Sequence, residues 1–357
     1  MASNSNKTYH DQVTIQNMVK LRELLKELPA FVADYFRGIE FTTESRTRLS
    51  YAIDLKTFFS YIQENNPIYK NMPMHQFPIS ILEQITSYDI EEYLSYIRYY
   101  EKDGKTYTNN DRAIKRKLSS IRSFYRYFHQ TKRIDVNPSE QVLIPKIHEK
   151  NIVRLEINEV SELLDHVESG EQLSKLQQVY HEKLKTRDMA ILTLLLGTGI
   201  RVSECVGLDL TDVDFENQCI KVIRKGGYED IVYFGDEVRD ALADYFEERG
   251  TLTPNEGHEQ ALFLSRQNRR ITVRSVEILV KKYATTVTTL KKITPHKLRS
   301  TYGTNLYQET GDIYLVADVL GHKDVNTTRK HYADVLDETK RRAKDAVRLR
   351  TEQDSKE

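Results

Sequence analysis

The chain is interrupted near its middle. Up to about residue 145 its apolar residues recur at helical spacing, and then Asn137-Pro138 and Ile144-Pro145-Lys146 break the rhythm. Proline fixes φ, lacks an N–H and pushes the residue before it out of the helical region, so a helix does not run through such a stretch. With 357 residues to divide, the length prior also favours two or three domains. The expected organisation is a flexible tail (1–15), an N-terminal helical domain (16–136), a linker (137–152), a second domain (153–336) and a C-terminal helix or tail (337–357).

The first half reads as helices. Ile90, Tyr93, Leu94 and Ile97 recur at helical spacing behind Thr86 and Asp89, a capping pair. An earlier helix is expected around Leu49–Ile62, and a third from about Asp111 to Gln130, with Ile114, Leu118, Ile121, Tyr125 and Phe128 as its apolar stripe. That third helix carries a second stripe of Arg112, Lys115, Ser119, Arg122 and Arg126, with Asp111 its one acid. Such a stripe suits phosphate contacts or entry into a DNA groove. The plainer alternative is a solvated face on a helix that packs by its other side.

In the second half Ile220-Lys-Val-Ile, the turn Lys225-Gly226-Gly227 and the returning Ile231-Val-Tyr-Phe form the one clear hairpin. Before it come a helix, the polar stretch Glu168–Lys185 and the apolar helix Met189–Leu196, and everything after about 271 reads helical again. The expected class is therefore mostly α: a helical first domain and an α-rich second domain with a small β-hairpin or sheet.

Bulk composition excludes more than it identifies. Lys+Arg and Asp+Glu balance at 53 each, so net charge makes no case for nucleic acid, and only local distribution can. Cys205 and Cys219 are too few for a disulfide framework and lack metal-ligand spacing, which fits a reduced, cytoplasmic setting. The opening residues contain no apolar h-region, and no apolar run reaches membrane-spanning length.

Four patches of the second domain carry the chemistry. Thr198-Gly199-Ile200-Arg201-Val202-Ser203-Glu204 places an arginine where one helix ends and the next begins. Lys225 stands at the hairpin tip. His296 and Arg299 lie three apart behind Thr294-Pro295, a helix start. Leu320-Gly321-His322 is followed by Thr327-Thr328-Arg-Lys-His331-Tyr332. Taken singly, each has a bland reading: a surface arginine, a solvated turn lysine, a chance His-x-x-Arg, one tyrosine among 22. Taken together they suit attack on a phosphodiester. Arginines supply fixed charge and bidentate donors to the transition state. A tyrosine, with an ordinary pKa of about 10, needs cations and a histidine to lose its proton. The leaving sugar oxygen needs a proton, which a groove-reaching lysine can give. No Asp/Glu cluster offers a two-metal site and no Gly-x-x-x-x-Gly-Lys loop is present.

In that order and at those distances, the motifs resemble the tyrosine recombinase (phage integrase) family, particularly its Xer branch. The likeness covers the second domain and, more loosely, the first. Phe263-Leu-Ser-Arg266, Ile271-Thr272, Val276 and Lys281-Lys282-Tyr283-Ala284 add to it. The resemblance implies a tyrosine recombinase fold, with a SAM-like core-binding domain that closes round the duplex opposite the catalytic one. It implies that Tyr332 is the nucleophile of a 3′-phosphotyrosyl link, and that Arg201 and Arg299 bind the scissile phosphate. Lys225 would protonate the leaving 5′-oxygen, His296 would move a proton, and His322 would hydrogen-bond the phosphate. Two rounds of exchange would pass through a Holliday junction with no cofactor. It implies a homotetramer on two double-stranded DNA sites, chromosome-dimer resolution during cell division, the DNA translocase FtsK as a candidate partner, and a C-terminal segment that docks on a neighbouring protomer.

The sequence departs from the family in three places. Tyr332 follows His322 by ten residues, where many relatives have nine, which leaves His331 a rival for a proton role. The stretch 168–185 is longer, and extra sequence precedes Thr42. Both additions are similar to the Xer subgroup that acts alone rather than in a pair. Alternatives left open are an integrase of a mobile element and a catalytically inactive DNA-binding protein.

Overall fold

The structure is a computed structural model that describes residues 8–102, 104–146 and 153–322. It divides into two compact units, 1–150 and 151–357. Tyr332, His331 and the segment 337–357 lie outside the described residues.

The first unit is built from α1 (Tyr9–Glu27), α2 (Val32–Gly38), α3 (Ser45–Asn65), α4 (Ile81–Gln84), α5 (Ser87–Tyr96), a hairpin of β1 (Tyr99–Lys102) and β2 (Lys105–Thr108), and α6 (Asp111–Gln130). Helix α5 starts at the expected cap: Thr86 accepts from the Asp89 amide while Asp89 accepts from that of Thr86. The apolar stripe of α6 forms the centre of this unit. Ile114, Leu118, Ile121, Phe124, Tyr125 and Phe128 are all buried, the aliphatic and Phe side chains each contributing roughly 1.5–3 kcal/mol of transfer free energy. Phe124 and Phe128 meet Phe31 and Phe59 edge to face or tilted, at centroid distances of 5.8–6.4 Å. Buried Asp54 on α3 accepts from Arg116 at 2.8 Å and from Lys117 at 3.1 Å, pinning α6 to α3. A buried carboxylate with such partners is costly to strand, because its charge would stay desolvated.

The structure corrects three expectations for this half. The tail is not all tail, because Thr8 and Asp11 form a capping box that starts α1 at Tyr9. The half is not all helical: β1 and β2 pair antiparallel, Tyr99 with Thr108 through Lys102 with Lys105. Stacking of Tyr100 on Tyr96 and Tyr107, at 5.3 and 5.0 Å, supports that hairpin. Finally, the first part of the predicted linker packs onto the first unit, with Pro138, Ser139 and Val142 buried.

The second unit runs α7 (Ile157–Ser169), α8 (Lys175–His181), α9 (Lys185–Thr198), α10 (Val202–Gly207), β3 (Val213–Asp214), β4 (Cys219–Ile223), β5 (Glu229–Tyr233), α11 (Asp236–Thr251), α12 (Val273–Val287), α13 (Pro295–Thr310) and α14 (Ile313–Val319). Helix α9 is apolar around most of its circumference, as a central helix must be. It packs against α7, α11 and α13, and Ala190, Ile191, Leu192, Leu194 and Leu195 are completely buried. Buried Asp188 near its start accepts from Arg187, Lys282 and Tyr283, tying α9 to α12. The sheet has order β3-β4-β5, all antiparallel. Strand β3 was not anticipated, and the polar stretch 168–185 contains the short α8. The mostly helical class with a small sheet is as expected, and no helix among the described residues is long and apolar enough to cross a membrane.

Candidate active site

Three arginines from different elements converge on one short segment, Val319-Leu320-Gly321. Helix α14 ends there in a Schellman closure. Gly321, at φ 59°, donates its amide to the carbonyl of Asp318, and the His322 amide donates to that of Ala317. The carbonyls of residues 319–321 are left pointing outward, at the negative end of a helix. Each is taken by a different guanidinium. Arg224 donates to Val319 O at 3.0 Å, Arg299 donates to Leu320 O, and Arg201 donates to Gly321 O at 3.2 Å. This segment delivers His322, which is half-buried.

Each cation reaches the segment by a local feature of the sequence. Helix α9 closes at Gly199, in the left-handed region at φ 62°, and Arg201 becomes the residue that caps α10. Its backbone N–H donates to the Glu204 carboxylate at 2.7 Å and its Nη1 donates to the same carboxylate at 2.8 Å. Arg299 lies one turn into α13, which starts at Pro295 as expected. It is buried and donates to Gly199 O at 2.6 Å, so it clamps the α9–α10 turn to the end of α14. His296 stays exposed in the first turn of α13. Lys225 is exposed at the hairpin tip, where Gly226 and Gly227 take φ values of 99° and 83°.

Gly199 is required by this geometry. A Cβ there would sit 2.4 Å from Tyr302 Cδ1 and 2.9 Å from Leu320 Cδ2. Gly199→Ala should therefore cost about 1–2 kcal/mol for the left-handed backbone and about 1–3 kcal/mol for the overpacked ring. A calorimetric melt should show a midpoint lower by roughly 5–15 °C for a unit of this size. A midpoint within 2 °C of the parent would refute the constraint.

Arg201, Arg299 and His322 are thus gathered on one backbone segment, with Lys225 next to a third arginine bound to it. Sequence reasoning missed that arginine, Arg224, and its partner Glu204. Both are buried, 3.1 Å apart. Cys205, beside them, is no rival nucleophile: burial, reinforced by the Glu204 charge, pushes its thiol up to about 12.

The α6 stripe is split. Arg112, Lys115, Ser119 and Arg126 are exposed. Arg122 is half-buried and donates to the carbonyls of Ser139 at 3.1 Å and Val142 at 2.5 Å, so its side chain holds the chain after α6. A second basic feature was not anticipated. A groove of about 690 Å³ in the second unit is lined by Arg187, His258, Arg266, Arg269, Arg270 and Thr272, among others, with no acidic residue in its lining. Burial, aided by Arg270 and Arg269, lowers the His258 pKa and favours its neutral form. Arg187 and Arg270 are committed to Asp188 and Asp209, leaving Arg266 and Arg269 as the exposed cations.

Fold and site define a class: an α-rich domain with a small sheet in which two arginines are clamped beside a histidine turn. The chain belongs to the phage integrase family, which matches residues 154–339. It is 32% identical over 349 residues to tyrosine recombinase XerS of Streptococcus uberis, covering 90% of this chain and 96% of that one. It is 30% identical over 315 residues to tyrosine recombinase XerC of Syntrophus aciditrophicus, covering 87% and 93%. Among solved structures it is similar to XerH recombinase bound to palindromic difH substrate in a post-cleavage complex. That match has a TM-score of 0.63 at 17% identity and covers 96% of this chain and 98% of that one. A λ integrase dimer bound to a COC′ core site matches with a TM-score of 0.58 at 17% identity, covering 85% and 94%. The last two likenesses concern the fold. The chain is a Xer-type tyrosine recombinase, and so a site-specific DNA strand transferase.

Proposed function

We propose that this protein cuts and rejoins DNA at a specific site through Tyr332, without metal or ATP. The observation that carries the reading is the convergence of Arg201 and Arg299 on the segment that presents His322. Two guanidiniums fixed by carbonyls and a carboxylate are preorganised to receive a phosphate, so little reorganisation is needed as charge develops on it. The Tyr332 oxygen attacks phosphorus and the 5′-oxygen leaves with a proton from Lys225, giving a 3′-phosphotyrosyl link. His296 assists proton transfer and His322 hydrogen-bonds the phosphate, with His331 a rival for a proton role. The 5′-hydroxyl of a partner strand then attacks phosphorus and expels the tyrosine. The covalent link conserves the bond energy, so no cofactor is consumed.

Two exchanges through a Holliday junction call for four protomers on two sites. By its resemblance to the Xer branch, the reading extends to resolving chromosome dimers during cell division in the cytoplasm, with a translocase of the FtsK type as candidate partner. The test is recombination in a purified system. Two duplexes carrying a site selected by covalent capture from a random-sequence library should yield recombinants in EDTA and without nucleotide. Absence of recombinants under those conditions, with products restored by Mg²⁺ or ATP, would overturn the cofactor-free mechanism.

Arg112, Lys115 and Arg126 supply phosphate contacts from α6, with Arg266 and Arg269 as further candidates in the groove. Changing Arg112, Lys115 or Arg126 to Gln should lower the slope of log affinity against log salt by about one per contact. Arg122→Gln should leave that slope unchanged and lower thermal stability instead. Titrations at several salt concentrations decide this, and a slope change at Arg122 alone would contradict the assignment.

A further inference from the structure

We propose that Arg224 is a positioning residue for strand cleavage, holding the hairpin so that Lys225 reaches the leaving 5′-oxygen in register with Arg201. The inference rests on the function proposed above.

Lys225 itself is poorly fixed. It sits exposed in a turn with two left-handed glycines, closed by Arg224 N–H donating to Tyr228 O at 2.9 Å and Gly227 N–H donating to Arg224 O at 3.0 Å. The residue before it is the opposite. The Arg224 side chain is almost completely buried and its three nitrogens go to three different elements. Nε donates to Asp230 on β5 at 2.8 Å, Nη1 to Glu204 on α10 at 3.1 Å, and Nη2 to Val319 O at the end of α14 at 3.0 Å.

Two of those partners belong to the phosphate-binding frame. Glu204 is the carboxylate that also holds Arg201. Val319 is the first of the three carbonyls that Arg224, Arg299 and Arg201 share. Gly321 is fitted to this arrangement, since a Cβ there would come within 3.0 Å of Arg224 Nε. A purely structural hairpin base would be served as well by apolar packing, because burying an ion pair adds little net stability. What a planar, three-way donor adds is fixed direction. Arg224 therefore locks the base of the Lys225 turn to the bodies that carry Arg201 and His322.

The consequence is specific to the leaving group. General acid catalysis contributes about 10²–10⁴-fold, and a misplaced group can lose about 10²-fold. Replacing the bridging 5′-oxygen by sulfur removes the need for that proton. The P–S bond breaks with its electron pair on sulfur, and a thiol with pKa near 8.5 leaves as the anion. The experiment uses the full-length protein and a nicked duplex carrying the selected site, with a 5′-bridging oxygen or sulfur. Arg224→Ala should slow single-turnover covalent capture about 10²-fold on the oxygen substrate, and recover to within a few-fold of wild type on the sulfur substrate. Arg224→Lys should be nearly as slow on oxygen and recover likewise. Asp230→Asn, at a half-exposed partner where folding is not at risk, should show a smaller deficit of the same kind. An equal deficit on both substrates, in Arg224→Lys and Asp230→Asn alike, would overturn the inference while leaving the tyrosine mechanism standing. No adduct from wild type on either substrate would overturn the mechanism itself, and this inference with it.

Discussion

Replacing Arg299 by alanine should slow covalent cleavage by about 10³-fold or more, from the loss of the preorganised guanidinium proposed to bind the phosphate. Two effects add. The first is the missing charge and donors in the transition state. The second is structural: the carbonyls of Gly199 and Leu320 lose the donor that joins them. Each buried acceptor left unsatisfied costs about 1–3 kcal/mol. The α9–α10 turn that carries Arg201 and the segment that delivers His322 would then lose their common clamp. Arg299→Lys separates the two effects. It restores a charge but not a planar fork, so cleavage should stay at least tenfold below wild type. DNA affinity, set mainly by contacts elsewhere, should change by only a few-fold in either variant. Capture rates within tenfold of wild type for Arg299→Ala would place the phosphate somewhere else.

Residues with local signals could be read from sequence; residues defined by tertiary partners could not. The cap at Thr86 and Asp89, the span of α6 and the Lys225 hairpin all follow from spacing and turn chemistry. The β1–β2 hairpin was missed although Asp103-Gly104 is a strong turn signal, because its strands are polar and their support comes from stacked tyrosines rather than an apolar face. Arg122 kept its helical spacing within a basic stripe, yet its side chain turned to two backbone carbonyls beyond the helix. Arg224 was hidden in the same way. A charged residue at a hairpin tip reads as solvated, and only the fold brings Glu204, Asp230 and Val319 O to bury it.

The same distinction bears on the proposed catalytic set. Motif order singled out Arg201, Lys225, His296, Arg299 and His322. The structure shows how Arg201, Arg299 and His322 are tied together, through backbone carbonyls of the Leu320-Gly321-His322 motif itself, a contact that side-chain identity does not reveal. Such a frame suits the nucleophile role proposed for Tyr332, because fixed cations at a phosphate allow a weakly acidic phenol to attack.

The nucleophile can be tested with one substrate. Wild-type protein incubated with a nicked suicide duplex of the selected site, in EDTA, should accumulate a covalent protein–DNA adduct whose crosslinked peptide contains Tyr332. Tyr332→Phe should bind the duplex with wild-type affinity and form no adduct. An equal adduct from Tyr332→Phe, or a crosslink mapped to another residue, would contradict the central claim.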